Sequence, residues 1–557
     1  MGRDADVSAL DPAALQVLIS RLAGVAEEMG AVLRRGAFSP NIKERADCSA
    51  ALFTAGGELL VQAEHIPVHL GSMPAAVRAA IAACGDRVGP GDQVVLNDPF
   101  AGGTHLNDVT FVAPCFVDGT LVGWAANRAH HADLGGMAPG SMPPEAREIA
   151  QEGLRVPPVV LDDGVEAIVA AASRTPEERR GDLAAQRGAN VLGVERLAAF
   201  ASAPFDEVLA YGERRMRAAI GALRDGVYRF EDVLDSAGPS PEQQTPTRVA
   251  VTLTVDGDHV TFDFTGTGPQ RAGNVNAVEA VTVSAVAFAL RCATDPTIPA
   301  NGGALRPVTV VAPAGTVVAA RPPAAVGAGN VEVSQRVADV CLGALAQVVP
   351  ERLGAASQGT MNNTLIGAAS VGGPGIPARS ERDHELGGDG WVYYETVGGG
   401  QGARPGRDGM SAVHTNMTNT ANTPIEALER AYPMRVRRYG VRRDSGGDGA
   451  SRGGDGIVRE LEMLEDVTVS LVTERRVSRP WGAAGGGPGA CGENWLVPAG
   501  DESRARRLPD KCTLTLRRGD VLRVLTPGGG GHGAPVHHAL TTDLASRSGG
   551  ATRADGR

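Results

Sequence analysis

Apolar residues at three- and four-residue steps open the chain. Leu15, Leu18, Ile19, Leu22, Val25, Met29 and Leu33 share one face of a helix, and Asp11-Pro12 supplies an N-cap with proline at the first helical position. The pattern then shortens to runs of strand type. Residues 50–53 and 59–61 flank Ala55-Gly56-Gly57-Glu58 and predict a hairpin. Residues 94–96 predict a buried strand. Residues 109–117 and 121–130 flank Asp118-Gly119, and residues 249–255 and 259–264 flank Asp256-Gly257, both two-residue hairpin turns. Helices are predicted over 74–84, over 331–349, and from the capping box at Thr175-Pro176-Glu177-Glu178 to about residue 223. Residues 141–158, rich in Met, Pro and Glu, read as an ordered loop.

From about residue 372, glycine-dense loops alternate with short strand-like runs. Beyond 538 the Ser, Arg, Gly and Thr tail predicts disorder. The mixture predicts an α+β class: a multi-domain mixed α/β chain, with antiparallel hairpins in an N-terminal metal-binding region and a Gly-rich, β-rich C-terminal part. The expected divisions are 1–235, 236–370, 371–538 and a tail over 539–557.

Composition narrows the class. Of 557 residues, 43% are apolar and 21% charged, which excludes a disordered chain. Glycine accounts for 74 residues without a Gly-x-y period, so collagen is excluded. A net charge of −11 lacks the basic field of a general nucleic-acid binder. Lys43 and Lys511 are the two lysines, and neither follows a glycine, so no phosphate-binding Gly-Lys-Ser/Thr loop exists. Seven scattered cysteines form no CxxC pair, and no run of eighteen apolar residues occurs. The expectations are a cytoplasmic location, no membrane span and no nucleic acid.

Five of the eleven histidines fall between residues 65 and 131. In the hairpin around Asp118-Gly119, residue 117 faces residue 120, which places His130 opposite Asn107, between His105 and Asp108. Opposed residues on antiparallel strands have Cβ atoms about 4.5–5.5 Å apart. Two imidazoles and a carboxylate thus converge at the open end of the hairpin, a ligand set suited to Zn²⁺, Mn²⁺ or Fe²⁺ with an open position. Polar residues on the rim of a strand are the competing reading. Asp182, Gln186 and Asn190 share a helix face and read as a solvated stripe. The glycine runs 398–402 and 528–531 read as turns, and His414 and Asn416 as polar loop residues without a role.

These residues lie in strings that resemble the hydantoinase B/oxoprolinase family. The strings are ERADCS at 44–49, HIPVHLGSM at 65–73, NDPFAGGTHLND at 97–108, HHADLGG at 130–136, PGSMP at 139–143 and QEGLRVPP at 151–158. GDLAAQ at 181–186, DFTGTGPQ at 263–270, TNMTNTANTPIE at 415–426 and DSGGDGASRGGDGIVRE at 444–460 continue the series. The resemblance implies one divalent metal on Asp47, His105, Asp108 and His130. Family members often have an aromatic where Cys48 stands and proline where Asn107 stands. It implies an ATP-dependent cyclic amidohydrolase acting on a hydantoin, 5-oxoproline or a lactam. ATP would bind a separate HyuA-type subunit, not this chain, in a hetero-oligomer, and that subunit would phosphorylate the amide oxygen. This chain's metal would then lower the pKa of a bound water and hydrolyse the activated ring. His65, His69, His131 and Asp133 are the further candidates for catalysis. The competing assignment is the metal-bearing subunit of an ATP-dependent ketone carboxylase, which resembles the family too.

Overall fold

The computed structural model describes residues 11–63, 66–368 and 390–535. His65, the stretch 369–389 and the tail beyond 535 lie outside the described residues. Among the described residues the fold is α+β, built on four sheets. None of its described helices is long and apolar enough to cross a membrane.

The first sheet carries the site. It contains β1 (Cys48–Thr54), β2 (Leu59–Gln62), β3 (Val94–Leu96), β4 (Asp108–Val117), β5 (Thr120–His130) and β6 (Val159–Val160). The order is β2-β1-β5-β4-β3-β6, antiparallel throughout. The helices Pro12–Gly36 and Pro176–Ala198 pack on each other and cover this sheet. Buried Leu22, Ala26 and Met29 of the first helix meet Ala50 and Leu52 of β1 in one apolar cluster, which accounts for the three- and four-step spacing.

The turn at Asp118-Gly119 has φ 49° and 78°, as its sequence requires. The register differs by one from the expectation. Phe116 pairs with Leu121, but Cys115 pairs with Gly123, so Val122 is an extra residue. This bulge brings Asp108, not Asn107, opposite His130. Pro114 keeps its place in the ladder, opposite Trp124.

Two predicted helices shift. The predicted helix over 74–84 starts earlier, at His69, and holds Pro74 inside it. Pro67 precedes the helix, and His69 is its first residue. At Gly71 this helix touches Glu279–Ala293 so closely that a Cβ would meet the Ser284 and Val283 backbone at 2.7 and 2.9 Å. Only glycine permits that approach, which seats the start of the His69 helix beside the sheet. The predicted 331–349 helix is Ser334–Leu345, preceded by a π turn at Gly329–Val333. The 175–223 material is two helices, Pro176–Ala198 and Phe205–Gly221, and Thr175 makes no side-chain cap.

The C-terminal part holds the four-stranded sheet through Trp391–Glu395, Asn363–Ala368, Val467–Val472 and Lys511–Leu516, and a five-stranded sheet. Its glycine runs are not turns. A Cβ on Gly400 would collide with Gly454 O and Gly529 N. Gly400 N bonds Pro527 O at 3.0 Å, Gly454 N bonds Gln401 O at 2.9 Å and Gly529 N bonds Gly454 O at 2.9 Å. Bare backbone segments thus hydrogen-bond side by side at a spacing that excludes side chains. Lys511 is fully buried, with Glu474 at 2.6 Å and Asp510 at 3.0 Å, a pairing without which its charge could not stay out of water.

Candidate metal centre

Three side chains converge at the open end of the β4–β5 hairpin. His105 lies in the turn before β4, Asp108 opens β4, and His130 closes β5. Asp108 Oδ1 is 3.0 Å from His105 Nε2 and 3.2 Å from His130 Nδ1. One ligand atom from each of the three lies within 4.8 Å of the others, and the side chains are almost fully buried. His69 adds a third imidazole, its Nε2 3.5 Å from Asp108 Oδ2 and its Nδ1 2.8 Å from Ser49 Oγ.

The electrostatics follow from this crowding. Burial opposes ionisation of Asp108, but the imidazoles of His105, His130 and His69 outweigh it and hold the carboxyl well below its ordinary range. Burial pushes the His69 imidazole down, against the pull of Asp108. A carboxylate oxygen thus faces imidazole nitrogens inside the protein, the donor chemistry that suits a divalent cation. The buried His105 Nδ1 and His130 Nε2 have no hydrogen-bond partner among the described residues, whereas His130 Nδ1 faces the accepting Asp108 Oδ1 and carries its proton there.

Other elements complete the surroundings. Thr104 Oγ1 donates to Asp108 Oδ2 at 2.5 Å. Tyr394 stacks on His130 with ring centroids 4.4 Å apart, and its hydroxyl donates to Asn363 Oδ1 at 2.8 Å. Asn330, on the π turn, places Nδ2 3.1 Å from His105 Nε2. Glu152 accepts from Val326 N and Gly327 N just before that turn. None of Asn330, Tyr394 and Glu152 was indicated by a local pattern.

The remaining candidates lie around this cluster at different distances. Asp47 is buried, and its carbonyl accepts from His130 N at 3.0 Å, but its carboxylate is not in the three-residue group. It follows Ala46, held at φ 55°, and its charge acts on His69 and Tyr394. His131 points its Nε2 at Gln186 Oε1, 2.8 Å away. Burial and the Arg179 charge push its imidazole well down. Asp133 accepts from Gly140 N and from the Arg174 guanidinium, tying the 135–141 loop to the chain before the Pro176–Ala198 helix. His65 lies outside the described residues.

The stripe of Asp182, Gln186 and Asn190 is not solvated. All three are fully buried. Asp182 accepts from Phe38 N and Ser39 N, Gln186 donates to Val109 O, and Asn190 accepts from Asn127. The helix Pro176–Ala198 turns this face onto β4 and β5 and satisfies polar groups behind the site.

His414 and Asn416 line a cavity of about 410 Å³ with Pro67, Phe288 and Leu342. Burial, with the Arg45 charge nearby, pushes the His414 imidazole down to about 4. Its pKa is thus lower in the folded than in the unfolded chain. Stability is fully present above about 6.5 and is lost as pH falls towards 4. His414→Gln is expected to remove about 1–2 kcal/mol of the stability lost between pH 7.5 and 5, read by urea unfolding at both pH values. Identical losses in variant and parent refute it.

The model of the hydantoinase B/oxoprolinase family matches residues 11–535. 5-Oxoprolinase 1 of Arabidopsis thaliana is 38% identical over 94% of this chain, and the chain spans 42% of that protein's length. The ATP-dependent caprolactamase of Pseudomonas jessenii has a structure that superposes with TM-score 0.85 at 27% identity, covering 96% of this chain and 93% of that one. Acetone carboxylase in its nucleotide-free structure gives TM-score 0.84 at 19% identity over 94% of this chain and 76% of that one, a likeness of fold alone.

Proposed function

The chain belongs to the hydantoinase B/oxoprolinase family, and from that membership we propose that it is the metal-holding, hydrolytic subunit of an ATP-dependent cyclic amidohydrolase. The observation that carries the reading is the buried convergence of His105, Asp108 and His130. The likeness to a caprolactamase over nearly the whole of both chains supports the substrate class. The ATP dependence of that caprolactamase supports an ATP-driven reaction, for which this reading assigns a partner.

An unactivated cyclic amide is a poor electrophile. In this reading the partner phosphorylates the amide oxygen, and this chain directs water to the resulting imidate-like carbon. His105, Asp108 and His130 would hold one divalent cation, Zn²⁺, Mn²⁺ or Fe²⁺, with Asp47 beside them. When bound, that cation supplies Lewis acidity and lowers the pKa of a water towards about 7. Thr104 turns the second oxygen of Asp108 away, so that Oδ1 faces both imidazoles. His69, oriented by Ser49, is the group placed to take or return a proton at Nε2. His131 and Asp133 act behind the site, by holding the Pro176–Ala198 helix and the 135–141 loop in place. Removing an orienting partner of a ligand lowers metal affinity about 10–100-fold. Thr104→Val is therefore expected to bind metal about tenfold more weakly, measured by chelator competition; unchanged affinity removes Thr104 from this role.

The test of the whole reading is reconstitution with the ATP-binding partner. 5-Oxoproline, hydantoin, N-methylhydantoin and caprolactam are offered singly, and phosphate and ring-opened product are followed together. ATP-dependent opening of one of them is expected. No opening of any, with ATP-dependent incorporation of bicarbonate into acetone, would replace this reading by a ketone carboxylase.

A further inference from the structure

Asn330 touches two members of the His105–Asp108–His130 group, although no sequence pattern singled it out. It lies 225 positions from His105 and reaches it from the π turn Gly329–Val333. That turn is firmly placed. Glu152 holds Val326 N and Gly327 N ahead of it at 3.1 and 2.8 Å, and Ser334 Oγ donates to the Asn330 carbonyl at 2.6 Å. A π turn costs regular helical hydrogen bonding and is commonly found where a side chain must be re-aimed at a functional site.

The residue is 4% exposed. Its Nδ2 is 3.1 Å from His105 Nε2 and 3.4 Å from Asp108 Oδ2, while its Oδ1 is buried without any donor. An orphaned buried carbonyl costs about 1–3 kcal/mol. The amide nitrogen and oxygen are nearly isosteric, and which one faces the cluster follows from the hydrogen bonds available. With no cation on His105 Nε2, the donor nitrogen is the group that fits beside it and Asp108 Oδ2. A cation held by that Nε2 takes the same lone pair, and an N–H directed at it is repelled. A half-turn of the amide replaces the nitrogen by the orphaned oxygen. The spacing suits the exchange: two ligands of one ion with bonds of about 2.0–2.2 Å stand about 3–3.5 Å apart. The His105–Asp108 and His130–Asp108 separations, 3.0 and 3.2 Å, fall in the same range.

We propose that Asn330 is a further ligand of this centre, through its side-chain amide oxygen. The inference rests on the metal reading above. Asn330 leaves room for Asp47, because such ions take four to six ligands.

The experiment uses the full-length chain and Co²⁺ as probe. Affinity is measured by chelator competition, and the visible absorption of the bound Co²⁺ reports its ligands. Asn330→Ala is expected to bind Co²⁺ at least about tenfold more weakly, with a changed spectrum. Asn330→Asp, which keeps an oxygen there and adds charge, is expected to restore or exceed the parental affinity. Asn330→Ser makes the same comparison if the alanine variant does not fold. Parental affinity in Asn330→Ala overturns the proposal. So does weaker binding with an unchanged spectrum, which would make Asn330 a positioning residue only. His105→Ala is run alongside: if it too binds as the parent does, the metal reading itself has failed.

Discussion

His130→Ala, assembled with its ATP-binding partner, is expected to keep consuming ATP in the presence of substrate while ring opening falls about a hundredfold or more. The proposed division of labour produces this split. In that proposal the phosphorylation step belongs to the partner, whereas His130 sits 3.2 Å from Asp108 Oδ1 in this chain. The substitution removes the imidazole and its stacking on Tyr394. It spares the backbone hydrogen bond from His130 N to Asp47 O, so β5 keeps its end in place. An activated ring that is not attacked by a directed water stalls or decays back to amide and phosphate. Phosphate release and ring-opened product, followed in one reaction, separate the two steps. Product formed in step with phosphate at near the parental rate would make the metal structural. The hydrolytic step would then have to be sought around His69 and His65.

Asp108→Asn is expected to lose metal by more than the roughly 10–100-fold that removal of a supporting partner costs. Asp108 is the one anion in the group, and three imidazoles turn towards it. Asparagine keeps the shape but removes the negative charge of the three-residue group, and elemental analysis of purified protein reads the loss. A stability cost accompanies it. The fully buried Arg128 guanidinium is held by Thr110, Ser72 and Gly102 oxygens, and Asp108 is the charge that helps keep it ionised. Removing that charge is expected to lower the urea midpoint while cooperative unfolding remains. His105→Ala should lose metal likewise without this stability cost. Metal retained at the parental level in both variants would remove these residues from the site.

Much of the site was legible because it is local. Asp118-Gly119 dictates a two-residue hairpin, and the hairpin brings HxxD against the end of the following strand whatever surrounds it. The one-residue error in register came from Val122. A bulge leaves no mark in alternation, since one extra residue among apolar neighbours reads like any other. The helix face of Asp182, Gln186 and Asn190 was also visible in spacing. Spacing defines a face but not what covers it, and these side chains are buried by meeting Phe38, Ser39, Val109 and Asn127 from elsewhere in the chain.

The sequence alone determined the elements whose hydrogen bonds close within a few residues. These are the amphipathic helix from Pro12, the hairpins with their turns, and the metal-suited triad they carry. Only the tertiary structure decided which distant groups face that triad. Tyr394 reaches His130, and Asn330 reaches His105, because one apolar cluster holding Leu106, Val331 and Tyr394 packs their parent elements together. Glu152 and the glycine-on-glycine contacts of the C-terminal part are of the same kind. The hydrophobic drive behind that packing is non-directional, so local periodicity carries no record of which surfaces it joins.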